Sequence, residues 1–240
     1  MSNPKDYPHV DQYPISKRWP AKNPDILQLY SLGTPNGVKI SIALEELQIP
    51  YEAHRVTLAD SDIKSQEYLS LNPNNKIPAI IDPNGPEGSP IGLFESGAIL
   101  VYLAEKTGKL IGHNASEKAK VLQWLMFQVG GVGPMFGQLG YFHAFAGSKI
   151  EDPRPKQRYI NEAKRLLNVI ETQLDGQDWI AGDFSLADIA LVPWLDTIER
   201  FYSVENETEI AKFKQVNSYI NRFNQRPSVQ KGWSIPAKAA

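Results

Sequence analysis

The chain has 240 residues, 42% apolar and 22% charged, with a formal net charge of −2, a size and balance that suit one large domain or two modest ones and that argue against nucleic acid or an anionic membrane as a partner. It has no run of about 18 apolar residues to span a bilayer, and its first residues, polar and Pro-rich, lack the apolar core of a secretory signal. Cysteine is absent, which removes structural disulfides, thiolate metal sites and any thiol mechanism carried by the protein itself; if the chain does thiol chemistry, the sulfur arrives on a small molecule, and the cytosol is the expected location.

Pro4, Pro8, Pro14, Pro20 and Pro24 predict an extended N-terminal arm over residues 1–25, since proline blocks both helix and ladder. From Ile26 the alternating run ILQLYSL predicts a strand. GTPNG breaks it, and Asn36 is read as the N-cap of a helix over VKISIALEELQ, which Pro50 stops. YEAHRVTL predicts a second strand, and ADSDIKSQEYLSLNP holds a short helix. KIPAIID and PIGLFE predict two strands joined through the turn PNGPEG, followed by a helix over SGAILVYLAEKTG that Gly108 closes. The order β-α-β-α-β-β-α, with a right-handed parallel unit first and a hairpin later, is a thioredoxin-like layout over residues 26–108. Beyond residue 115 every periodic segment is helical, so residues 115–235 are expected to form an all-helical bundle. Gly and Pro in GGVGPMFG should kink its first helix.

Four short segments could carry chemistry. Gly33-Thr34-Pro35-Asn36-Gly37 lies at a strand-to-helix junction, where helix amides attract anions and the Thr34 hydroxyl and Asn36 amide can donate to a thiolate. Lowering a thiol pKa from about 8.5 to about 6.5 requires roughly 2.7 kcal/mol of preference for the ionised form, which two or three oriented donors and a helix end can supply. The same residues also suit a plain capped turn. Ile77-Pro78 begins a strand without a ladder donor; a cis peptide there would turn the Ile77 backbone toward an extended ligand, and an edge strand with a trans proline is the other option. Glu95-Ser96, at a strand end and a helix start, fits either an amino-acid head group or a simple N-cap. Ser185-Leu186-Ala187-Asp188 has the form of a structural capping box.

Taken together, the order and spacing of KIPAI, FESGAILVYLAEK and WIAGDFSLADIALVPW resemble the glutathione transferase superfamily. TPNGVKISIALEEL, NPNNKIPAI and LQWLMFQVGGVGPMFGQ are similar to its Nu class and to the related fungal nitrogen-regulator branch. The resemblance spans roughly residues 26–230. It implies that Thr34 and Asn36 lie beside the glutathione sulfur as the catalytic pair, and that Ile77, with Pro78, binds the cysteinyl backbone. It further implies that Glu95 and Ser96 bind the γ-glutamyl end and that Arg158 reaches the site from the helical domain. Members similar to this chain hold two glutathione molecules or their disulfide, and reduce small disulfides. The implied function is therefore a glutathione-dependent disulfide-bond reductase. Conjugation of glutathione to electrophiles, or a catalytically weak regulatory binding role, are the alternatives. A homodimer acting on a small-molecule disulfide or electrophile is expected, with no metal, nucleic acid or membrane. The chain departs from the family where a loop glutamine often contacts glutathione: Ile63 stands there, with Lys64 and Gln66 nearby.

Overall fold

The computed structural model describes residues 9–237. The chain divides into two compact units, Met1–Thr107 with Pro227–Ala240, and Gly108–Arg226.

The first unit is built on strands β1 (Leu27–Ser31), β2 (Tyr51–Arg55), β3 (Ala79–Asp82) and β4 (Ile91–Phe94). They form one sheet in the order β2-β1-β3-β4. β1 pairs parallel with β2, Leu29 opposite Ala53, and antiparallel with β3, Leu29 opposite Ile80. β3 and β4 form the expected hairpin. All five residues of β1 are buried, as a strand paired on both edges and covered on both faces requires. Its buried Gln28 is satisfied by donating to the Asn23 and Ile26 carbonyls and by pairing with His54.

The helices of this unit are α1 (Pro35–Leu47), α2 (Asp60–Ile63), α3 (Gln66–Leu71), α4 (Ser96–Thr107) and, from the far end of the chain, α12 (Pro227–Trp233). The single helix expected between β2 and β3 is thus two, because Ser65 caps a fresh start by accepting the Tyr68 amide. α12 lies against α1 closely enough for Ser41 Oγ to donate to the Gly232 carbonyl at 2.7 Å. A Cβ on Gly232 would sit 2.7 Å from Ile42 Cα, so only glycine fits this crossing. Gly232→Ala is expected to destabilise the protein by about 1–3 kcal/mol, as overpacking does, lowering the urea midpoint without changing the denaturation slope.

The described part of the N-terminal arm is not extended. It makes two 3-10 turns, Val10–Gln12 and Pro14–Lys17, the second opened by a proline whose missing N–H is no loss there. Val10, Tyr13 and Ile15 are buried in a cluster with Tyr30, Val56 and Tyr68, and Arg18 pairs with Asp62 at 2.6 Å.

The second unit contains α5 (Ala115–Phe127), α6 (Gly133–Ala144), α7 (Pro153–Gln173), α8 (Leu186–Leu195), α9 (Thr197–Arg200), α10 (Glu205–Thr208) and α11 (Lys214–Asn224). The expected interruption between α5 and α6 is a π-turn over Gln128–Val132, where two glycines permit the wider winding. α8 is buried at every position, so it forms the centre of the bundle. The Ser185–Asp188 capping box is formed as expected. Asp188 also accepts the Ile180 amide at 3.0 Å and the Tyr219 hydroxyl at 2.7 Å. Among the described residues, no helix is long and apolar enough to cross a membrane.

Candidate functional site

The start of α1 is assembled around Thr34. This residue, not Asn36, is the N-cap: its hydroxyl oxygen accepts the Gly37 amide at 3.3 Å. The reason is local. Pro35 has no N–H to lose and a backbone angle suited to the first helical position, so the cap falls on Thr34, two residues before the expected one, and Asn36 enters the first turn. Gly37 is required by the tightness of the turn, since a Cβ there would lie 1.9 Å from the Leu32 carbonyl oxygen.

This geometry changes which groups can meet an anion. Pro35 offers no amide, the Gly37 amide is taken by Thr34, and the Val38 amide bonds to the Thr34 carbonyl. Those three positions therefore offer an anion no free amide, and side chains gain importance as donors at this helix end. Having accepted from Gly37, the Thr34 hydroxyl retains its own hydrogen, which has no acceptor among the described residues. Asn36 Oδ1 accepts from Lys39 Nζ at 2.9 Å, and the same ammonium donates to Ser96 Oγ at 3.3 Å. Lys39 is only 1% exposed. Burial pushes its ammonium down to about 7, an effect the Glu95 carboxylate partly counters.

The Ile77–Pro78 peptide is cis. The loop before it is pinned by two donors on one carbonyl: the Tyr68 hydroxyl and the Asn72 amide both bond to the Lys76 oxygen, at 2.7 and 2.5 Å. Asn72 also accepts the Asn74 amide at 2.9 Å. The Ile77 amide and carbonyl make no hydrogen bond among the described residues, so this one residue presents an unpaired strand-like edge beside β3.

Glu95 and Ser96 link β4 to α4. The Glu95 carbonyl accepts the Ile99 amide at 2.9 Å, closing the first helical turn. Glu95 has φ 71, left-handed backbone that a non-glycine residue adopts at a cost of order 1–2 kcal/mol. Its carboxylate is exposed and takes one long contact, 3.4 Å from Asn74 Nδ2. The amides of Ser96, Gly97 and Ala98 precede the first helical bond and have no acceptor among the described residues. With the Ser96 hydroxyl they make an anion-binding end beside an exposed carboxylate, the two halves an amino-acid head group needs.

The first unit thus places Thr34, Asn36, Ile77, Glu95 and Ser96 on neighbouring turns of one sheet, and joins Asn36 to Ser96 through Lys39. Arg158 belongs to the second unit, on α7. It lines an open pocket of about 810 Å³ with Met135, Arg154, Gln157, Asn161 and Arg165 among its walls. Arg154 and Arg165 are engaged by Asp152 and Glu162, whereas Arg158 makes no hydrogen bond or ion pair among the described residues. Tyr30, the residue that could be cast as a phenol activating the sulfur, is fully buried in the core. It stacks on His54 with ring centres 4.7 Å apart, and burial raises its pKa further above the ordinary phenol range. Ile63 is buried and Lys64 pairs with Asp60, while Gln66 is exposed at the start of α3. His143 sits 3.7 Å from the Glu207 carboxylate. No cluster of metal-ligating side chains occurs among the described residues.

Sequence reasoning missed Lys39, which reads as one more charged residue in an amphipathic helix. It also missed Asn72 and Tyr68, although the Asn-Pro-Asn-Asn string is an evident signal for a side-chain-braced turn.

Residues 33–106 match the N-terminal domain of glutathione S-transferases and residues 135–227 match the C-terminal domain. The disulfide-bond oxidoreductase YfcG of Escherichia coli is 41% identical over 85% of this chain and 92% of its own length. The disulfide-bond oxidoreductase YghU of the same organism is 37% identical over 86% and 73%. Among solved structures, a glutathione transferase from Pseudomonas putida with one glutathione disulfide bound per subunit is 53% identical, with a TM-score of 0.93 over 95% of this chain and 99% of that one. A glutathione transferase from Burkholderia graminis with two glutathione molecules bound per subunit is 54% identical, with a TM-score of 0.94 over 96% of each chain. With a thioredoxin-like unit, a helical unit, both domain matches and relatives at this identity along nearly the whole chain, the protein belongs to the glutathione S-transferase superfamily of enzymes.

Proposed function

We propose that the protein is a glutathione-dependent disulfide-bond reductase whose first unit binds glutathione and ionises its sulfur at the start of α1. The observation that carries the reading is the Thr34 hydroxyl, fixed by its bond from Gly37 and left with one hydrogen to donate, in a protein with no sulfhydryl of its own. The glutathione cysteinyl backbone pairs with the Ile77 amide and carbonyl. The Glu95 carboxylate takes the γ-glutamyl ammonium, while the Ser96 hydroxyl and the first amides of α4 take the adjacent carboxylate. Thr34 and Asn36 then donate to the sulfur and favour the thiolate.

The thiolate attacks one sulfur of a small disulfide, forming a mixed disulfide with glutathione and expelling the other half as a thiol once it gains a proton. A second glutathione thiolate attacks the mixed disulfide, so that two glutathiones become glutathione disulfide and the substrate becomes two thiols. Arg158 supplies the cation for a carboxylate of the second glutathione. The protein contributes position and electrostatics and forms no covalent bond to substrate. A homodimer in the cytosol is part of the same proposal.

The deciding experiment compares initial rates with hydroxyethyl disulfide and with a generic aromatic electrophile, both with reduced glutathione. Faster turnover of the disulfide supports reductase activity. Faster turnover of the electrophile favours conjugation by the same sulfur. Glutathione binding with neither activity favours a regulatory role. Pretreatment with iodoacetamide, removed before assay, is expected to leave the rate unchanged, because the chain offers no thiol to alkylate.

A further inference from the structure

A lysine side chain buried to 1% exposure is uncommon, and in Lys39 it is not idle. Its ammonium bonds to Asn36 three residues earlier in α1 and to Ser96 at the head of α4, 57 positions away in the chain. These are the two residues assigned above to the sulfur and to the γ-glutamyl end of one glutathione. We propose that Lys39 is a positioning residue of the glutathione site, orienting the Asn36 carboxamide and the Ser96 hydroxyl and supplying the positive charge that the bound thiolate faces; this rests on the thiolate reading of α1.

The argument begins from donor and acceptor chemistry. An ammonium only donates. Where it meets Asn36, the carboxamide must present its oxygen, so its NH2 is turned to the other side. An uncommitted asparagine could present either group, and the wrong one would set a carbonyl oxygen against a thiolate. The same logic applies at Ser96. Its oxygen accepts from Lys39, which directs the hydroxyl hydrogen away from the lysine, where it can donate to a ligand carboxylate. One buried cation thereby gives two neutral side chains a defined donor direction before any ligand arrives.

Charge adds to this. Burial lowers the ammonium to about 7, with Glu95 pulling the other way, so its charged form is poised and any further nearby anion favours it. A thiolate at the start of α1 is such an anion. The coupling is reciprocal: an ion that stabilises the ammonium has its own pKa lowered by it.

The test reads the bound thiol directly, through the ultraviolet absorbance of the glutathione thiolate titrated against pH in the parent and in Lys39→Met, with kcat and KM measured alongside. Lys39→Met is expected to raise the bound thiol pKa by about one unit or more, the scale of losing a nearby opposite charge, and to lower kcat below neutral pH more than it raises KM. The cysteine-free chain allows a chemical rescue. Lys39→Cys, alkylated in denaturant with bromoethylamine and refolded, regains an ammonium at nearly the lysine's reach. The same variant alkylated with iodopropane has the length without the charge. Restoration of the low thiol pKa by the aminoethyl group alone supports the proposal, also where Lys39→Met fails to fold. A Lys39→Met protein, or a propyl-modified one, whose bound thiol titrates as in the parent overturns it and leaves Lys39 a mere strap between helices. If the parent itself does not lower the thiol pKa, the thiolate reading falls first, and the proposal with it.

Discussion

Thr34→Ala is expected to lower kcat for glutathione-dependent disulfide reduction by about 10²-fold, the usual scale for deleting one preorganised donor to a developing or bound anion, while the fold survives. Two contributions are separable. The hydroxyl oxygen caps α1 by accepting the Gly37 amide, and its loss costs roughly 1 kcal/mol of stability. The hydrogen is the donor to the sulfur, and its loss falls on the chemical step. Thr34→Ser keeps both roles and should retain most of the rate; Thr34→Asn can cap the helix but places its donor differently, and should recover stability without the rate. Steady-state kinetics with hydroxyethyl disulfide, paired with thermal melts, reads both effects. A Thr34→Ala enzyme with parental kcat would remove Thr34 from the mechanism.

Asp188→Ala is expected to have the largest effect on stability, about 3–5 kcal/mol. Asp188 is fully buried and serves four donors: the Ser185 amide and hydroxyl, the Ile180 amide and the Tyr219 hydroxyl. Burial pushes its carboxyl up, and these hydrogen bonds push back. Removing it leaves two backbone amides and a phenol without their acceptor inside the helical unit, each costing about 1–3 kcal/mol less whatever relaxation recovers. Asp188→Asn keeps the volume and one acceptor oxygen and should cost less than alanine. Urea unfolding followed by circular dichroism measures the difference, and a loss under 1 kcal/mol would show that the network is not what holds α8 to its neighbours.

The strand order, the helices α1 and α4, the parallel β1–β2 unit, the β3–β4 hairpin, the interruption after α5 and the Ser185 box were all legible in the amino-acid string. Each follows from local rules: period-two or helical spacing of apolar residues, a proline where a helix must stop, a hydroxyl three residues before an acid. The candidate site was legible as three short segments with more than one possible use each, and their grouping came from resemblance to a family. The N-cap was misplaced by two residues because Asn36 is a good cap in isolation; Pro35 at the first helical position moved it to Thr34.

What the sequence determined by itself, then, is most of the elements, the two-part α/β and all-α composition, and the condition that any thiol chemistry here needs a borrowed sulfur. What only the tertiary structure decided is which groups face one another: Lys39 between Asn36 and Ser96, Gly232 against Ile42, the arm's Val10 and Ile15 in the same cluster as Tyr30. The physical reason is range. Capping, turn and periodicity signals record hydrogen bonds between residues a few positions apart, whereas contacts across 57 or 191 positions are set by how the folded surfaces fit and leave no mark in the spacing of one chain.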